Sequence, residues 1–241
     1  MKAHRPLGPV THSQAFSPVS VFAGQAVVMG AGLALAASMA LPSVFWALSA
    51  FLVATVLSGA GLVSRYPHNV LGLCNTTTLL RAALVAFLFG TLFFTTEVSG
   101  WLVFAVGAFA FALDGLDGWF ARRSGLQSDF GARFDMETDA ALGAVLALWV
   151  MLSGTAQAYV LILGFARYAF VAAGWVWPQL RGNLPPSFRR KAVCVVQIAA
   201  LLLLVFPLTP AAVLAPLSLT ASLALSYSFG ADIHWLLRRS K

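Results

Sequence analysis

Six of the eight acidic residues of this chain fall between positions 114 and 139, and their spacing is that of a divalent-cation site. Asp114 and Asp117 are three apart, so both project from one face of a helix. Asp135 and Asp139, four apart, share one face of the next apolar segment. Two such segments, joined by a turn of about ten residues, run antiparallel and bring the pairs together. An ionisable group within a membrane helix costs about 2.5–3.5 kcal/mol on insertion scales, so it is paired, coordinated or functional. Four carboxylates with few bases among them repel one another, and something positive must lie between them. With no His or Cys nearby, the oxygen set suits Mg²⁺ or Mn²⁺ and suits zinc or copper poorly. Four carboxylates exceed what one Mg²⁺ takes, which points to two ions bridged by shared oxygens. Gly118 and Gly131, beside the pairs, leave room for close helix contact or for a ligand. Arg122 adds a planar fork suited to phosphate. On spacing alone a charged clamp between helices and a proton or cation path remain open readings.

The elements that must carry these residues are membrane helices. Of 241 residues 60% are apolar and 10% charged, and the mean hydropathy is +0.86. A soluble domain has about 45–50% apolar and about 25% charged residues. The composition excludes a water-soluble globule, a disordered chain and a disulfide scaffold. Cys74 and Cys194 have no CxxC partner or metal-ligand spacing, and His4, His12, His68 and His234 form no cluster. Eight apolar stretches run over 19–40, 43–63, 75–96, 101–121, 131–153, 156–178, 192–208 and 211–234. They predict an all-α, polytopic bundle of about eight transmembrane helices. The first stretch does not read as a cleaved signal peptide. Segment 64–74, too short to cross, reads equally as an interfacial helix or a connector.

Fourteen of the fifteen Lys and Arg fall at one set of loop ends, and the loops around Pro42, Glu97 to Gly100, Ser153 to Gln157 and Pro207 to Pro210 hold none. The bias toward positive cytoplasmic loops puts both termini and the acidic cluster on the cytoplasmic side. The net charge of +7 then reads as topology and headgroup contact, with no nucleic-acid partner. Compact size and short loops point to a bacterial inner membrane.

The stretch Asp114 to Asp139, DGLDGWFARRSGLQSDFGARFDMETD, resembles the signature of the CDP-alcohol phosphatidyltransferase family. That signature reads D-x-x-D-G-x-x-A-R, eight residues, G, three residues, D, three residues, D. Asp114, Asp117, Gly118, Ala121, Arg122, Gly131, Asp135 and Asp139 meet every defined position. The family's P-N-x-x-T-x-x-R is echoed by CNTTTLLR, with Asn75, Thr78 and Arg81 in place and Cys74 where proline is usual. The resemblance covers about residues 64–240 and implies a six-helix core. It divides the chain into 1–63, a tail with two additional helices, and 64–241, the core with a short juxtamembrane segment.

It implies, further, transfer of a phosphatidyl group from CDP-diacylglycerol to the hydroxyl of a small polar alcohol, with release of CMP. By position, Asp114, Asp117, Asp135 and Asp139 match the family's metal ligands, and Asp139 its general base. Asn75, Thr78, Arg81, Gly118, Arg122, Ser128 and Gly131 are the nucleotide and donor candidates. A homodimer in the bilayer is implied as well. On the residues alone, Asn75 also suits a helix N-cap, Thr78 a bond back to its own helix, and Arg81 a headgroup contact.

Acceptor residues are harder to read. Arg167, the one base in mid-span, needs an anion, either an acceptor phosphate or carboxylate or one of the aspartates. Arg189 and Arg190 open the seventh span, as an ordinary basic loop or as acceptor contacts. Glu137 is expected to pair with Arg133, four residues before it. The alternatives at the level of function are transfer from a CDP-linked headgroup to diacylglycerol and, from another class, a cation transporter or channel.

Overall fold

The computed structural model describes residues 17–124, 126–182 and 187–239, with the side chains of 116–124, 191 and 239 outside the described set. The described residues form eight α-helices and no strand. They are α1 (Pro18–Ala40), α2 (Phe45–Arg65), α3 (Leu73–Thr91), α4 (Gly100–Ser124), α5 (Asp129–Leu152), α6 (Leu161–Val176), α7 (Phe188–Val205) and α8 (Ala211–Arg239). Short 3₁₀ turns follow α3, precede α6 and follow α6. All eight apolar stretches of the sequence are helices, with ends moved by a few residues. Residues 66–72 are a non-helical connector, held by the Tyr66 hydroxyl, which donates to the Val70 carbonyl at 2.8 Å and accepts from the Gly72 N–H at 3.2 Å.

Five of these helices are long and apolar enough to cross a bilayer: α1, α2, α3 with its 3₁₀ turn, α6 with the turn before it, and α8. The other three spend part of their length on charge. Helix α4 is apolar over Gly100–Gly115 and then carries Asp117, Arg122 and Arg123; α5 opens with five charged residues in eleven, and α7 with Arg189, Arg190 and Lys191. Helices α4 and α5 carry the clustered acids, and α7 the pair Arg189 and Arg190.

Caps set several of the ends. Ser17 accepts from the Ser20 N–H at the start of α1, with Pro18 in the first turn where its missing N–H costs nothing. Ser128 caps α5 by accepting from the Gly131 N–H at 3.0 Å. At the other end of α5, Gly154 takes φ 74°, and the Gly154 and Thr155 N–H groups bond back to Met151 and Val150. That left-handed residue, disfavoured for any side chain with a Cβ, satisfies the last carbonyls of the helix.

Helix α3 is the centre of the bundle, packed by α1, α2, α4 and α5. Its apolar span is 61% buried, against 11% for α1. Outward faces are hydrocarbon: Val27, Met39, Leu57, Trp175 and Tyr227 are all exposed, which suits lipid and would be a liability in water. Small residues let helices close. At Gly164 an added Cβ would fall 2.8 Å from both Ala144 Cα and Ala147 Cβ, so α6 rests directly on the backbone of α5. Helices α4 and α5 meet only slightly among the described residues, and α3 packs against both.

Candidate functional site

Three carboxylates converge where α3, α4 and α5 meet. One oxygen from each of Asp114, Asp135 and Asp139 lies within 4.8 Å of the others. Their side chains are 35, 36 and 44% exposed, so the cluster opens at the surface of the bundle. The i, i+4 spacing of Asp135 and Asp139 aims both at α3, and Asp114 reaches the same point from α4.

Arg81 lies among them. It is 1% exposed; Nη1 is 3.0 Å from Asp114 Oδ1 and also pairs with Asp135, and Nη2 pairs with Asp139. Nε donates to the Ala110 carbonyl at 3.2 Å, which fixes the plane of the guanidinium. A buried guanidinium is tolerated only when its donors are used and its charge is met. The positive group demanded by the repulsion among the acids is therefore, in part, a residue of the chain itself. Among the described residues three carboxylates face this one guanidinium, and an all-oxygen, partly exposed set fits Mg²⁺ or Mn²⁺. Asp117, Gly118 and Arg122 are on α4 within one to two turns of Asp114; their side chains lie outside the described residues.

Asn75 is one turn before Thr78 and two before Arg81 on α3. The helix starts earlier than the capping reading requires: Gly72 is the cap residue, and Asn75 is already inside the first turn, its N–H bonded to the Gly72 carbonyl at 3.0 Å. Its side chain thus does not cap. It is 1% exposed, and both Oδ1 and Nδ2 lack a hydrogen-bond partner. Each such orphan costs about 1–3 kcal/mol unless a ligand completes it. Gly131 faces it across the α3–α5 contact, where an added Cβ would be 3.0 Å from Asn75 Oδ1 and 3.2 Å from Ser128 Oγ. Only a hydrogen at position 131 lets the start of α5 approach this amide. Thr78, also buried, donates back to the Cys74 carbonyl at 2.9 Å. His68 Nε2 meets the Gln127 carbonyl at 3.0 Å and ties the 66–72 connector to the turn before α5.

Arg167, Arg189 and Arg190 are engaged in ways the sequence does not announce. Glu137 pairs with Arg167 of α6, and among the described residues it has no ion pair with Arg133. The expected helix-surface pair is replaced because α5 and α6 pack side by side and bring a mid-span base to the only acid on that side. Arg167 keeps Nε buried without a partner. Arg189 donates to the Ser228 carbonyl at 2.8 Å and to Asp232 at 2.5 Å, while Arg190 Nη1 is 4.0 Å from Asp232 Oδ2. Asp232, 9% exposed, is thereby the anchor of α7 on α8. Its signal in the sequence is a lone acid in the last apolar span, which needs a cation.

A family model described as CDP-alcohol phosphatidyltransferase matches residues 71–228. The chain is 29% identical over 171 residues to a probable phosphatidylglycerophosphate synthase of Mycobacterium tuberculosis, found in two strains; the match covers 68% of this chain and 80% of the relative. No solved structure matches.

Proposed function

The chain belongs to the CDP-alcohol phosphatidyltransferase family, and from that premise we propose that it moves a phosphatidyl group from CDP-diacylglycerol to the hydroxyl of a small polar alcohol. The acceptor oxygen bonds to the phosphatidyl phosphorus, the bond from that phosphorus to CMP breaks, and CMP leaves. Asp114, Asp117, Asp135 and Asp139 would hold Mg²⁺ or Mn²⁺, as two ions, whose chemistry is to neutralise the diphosphate and polarise the phosphorus. Asp139 would take the proton of the acceptor hydroxyl as attack proceeds; a carboxylate that also holds a metal is a weak base and acts late.

The donor's nucleotide falls to the residues around Asn75. The unpartnered amide is set to bond the polar edge of a base or a phosphate oxygen, and Gly131 and Ser128 shape the wall beside it. Thr78, Gly118 and Arg122 complete this donor set. Arg81 holds the acids in register from behind.

The single observation that carries the reading is the convergence of Asp114, Asp135 and Asp139, all half-buried, within 4.8 Å. The M. tuberculosis relative's name and the arginines on α6 and α7 favour an acceptor that itself bears a phosphate, glycerol 3-phosphate, with Arg167, Arg190 and Arg189 as its contacts. We take residues 64–241 as the catalytic unit, 1–63 as an addition to it, and the working assembly as a homodimer in a bacterial inner membrane with the site facing the cytoplasm. The test is radiolabelled CDP-diacylglycerol incubated with the purified protein, Mn²⁺ or Mg²⁺ and a panel of alcohols, with chromatography of the lipid. Expected are CMP release and one labelled phosphatidylglycerophosphate product, both lost in EDTA. Turnover without a divalent ion, or label passing to another alcohol in preference, overturns the respective part.

A further inference from the structure

On the side of α5 away from the carboxylates runs a cavity of about 890 Å³, bounded by α2, α3 and α5. At about 100° per residue, Glu137 and Phe134 stand on the far side of α5 from Asp135 and Asp139, so this cavity is separate from the candidate active site. Its wall on α2 is a run of mostly small residues, among them Ala50, Ala54 and Gly61, and its floor on α3 is Ala82, Val85 and Ala86. The hydroxyls in it are already used by their own helices: Ser49 donates to Phe45, Ser58 to Ala54 and Thr138 to Phe134. Apart from Tyr168 at the α6 side and the charged residues of the rim, what remains to meet a ligand is hydrocarbon. Trp46, stacked on Phe93 with ring centroids 4.0 Å apart, lines the end remote from the acids.

The other end is cationic. Arg65, the last residue of α2, and Arg133, in the second turn of α5, both line it. Both are exposed, and neither has an ion pair among the described residues. Glu137, the one acid on the rim, is neutralised by Arg167. A long apolar trough tipped by two uncompensated guanidinium groups at the level of the headgroups has the charge and polarity pattern of one kind of molecule. A second copy of this chain fits poorly: across a two-fold axis along the membrane normal it would bring like-charged rims toward each other. One wall is α2, which lies outside the matched residues 71–228, so this trough is not a feature of the matched region alone.

We infer that the α2–α3–α5 trough is a binding site for an anionic glycerophospholipid, with acyl chains against Ala54, Ala82 and Ala86 and the headgroup phosphate between Arg65 and Arg133. The full chain in detergent, offered equal amounts of phosphatidylglycerol and phosphatidylcholine with identical acyl chains, is read by native mass spectrometry. At about fivefold per cation near an anionic headgroup, retention should favour phosphatidylglycerol by about 30-fold. Arg65→Gln and Arg133→Gln should each remove about fivefold, and the double variant should bring the ratio close to one. Ala54→Trp, which fills the trough, should lower retention of both lipids, and inorganic phosphate should not displace them. Equal retention of the two lipids by the unaltered chain, or an unchanged ratio in the double variant, overturns the assignment. So does a disulfide-linked dimer formed through Val53→Cys, which would give the trough to a second copy.

Discussion

One helix, α5, presents two faces of opposite character. Toward α3 and α4 it offers Asp135 and Asp139, which meet the buried Arg81 and Asp114. Toward α2 and α6 it offers Phe130, Phe134 and Ala141 with a single acid, Glu137, answered by a single base, Arg167. On the second face Glu137 and Arg167 answer each other, and Arg65 and Arg133 are left at its end. The first gathers three carboxylates around one guanidinium and has, among the described residues, an unpartnered amide, Asn75, at its edge. Clustered acids beside a buried amide without a partner are a pattern of ligand sites. The contrast locates the chemistry, and the same contrast makes the other face a place for hydrocarbon.

That difference can be broken from either side. The largest effect belongs to Asp139→Asn, which keeps the shape and removes the proton acceptor: turnover should fall about a thousandfold while nucleotide binding, measured by calorimetry, largely persists. Retained turnover would remove Asp139 as the base. Next is Arg81→Met, which leaves the three carboxylates facing one another. Discounted for their partial exposure, the loss in EDTA is about 2–3 kcal/mol, read as a drop in thermal midpoint, and Mn²⁺ should restore part of it. A midpoint unchanged in EDTA would mean that the acids do not need this cation.

Gly131→Ala drives a methyl against Asn75 Oδ1 and should raise the donor KM by about tenfold with a smaller change in kcat, consistent with about 1–2 kcal/mol of overpacking. A KM equal to that of the unaltered chain would detach Asn75 and Gly131 from the donor. The smallest effect is expected on the opposite face, where Arg133→Gln should leave kcat within about twofold. A large loss there would erase the distinction between the two faces.

Much of this arrangement is legible from spacing. Helical periodicity places Asp135 and Asp139 together and Glu137 apart from them, because 3.6 residues per turn is a local property. The eight apolar stretches become the eight helices for the same kind of reason: each satisfies its own backbone, as lipid requires. Spacing reads Asn75 less well. Its type and position suit a cap, yet α3 begins at Leu73 with Gly72 as the cap residue, and the amide is turned to a different use. With Gly72 extended and Leu73 the first helical residue, Asn75 falls inside the first turn.

What the chain determined by itself is which residue types share a face and how many helices carry them, since bond geometry and hydrophobicity act within one segment. Only the packing of distant segments decided the partners. Arg81 lies between acids 33 and more residues away, Arg167 takes Glu137 in place of the nearby Arg133, and Arg189 is held by Asp232. A charge in a low-dielectric setting bonds whatever opposite charge the fold brings within reach, and that choice depends on helices whose contacts no local pattern encodes.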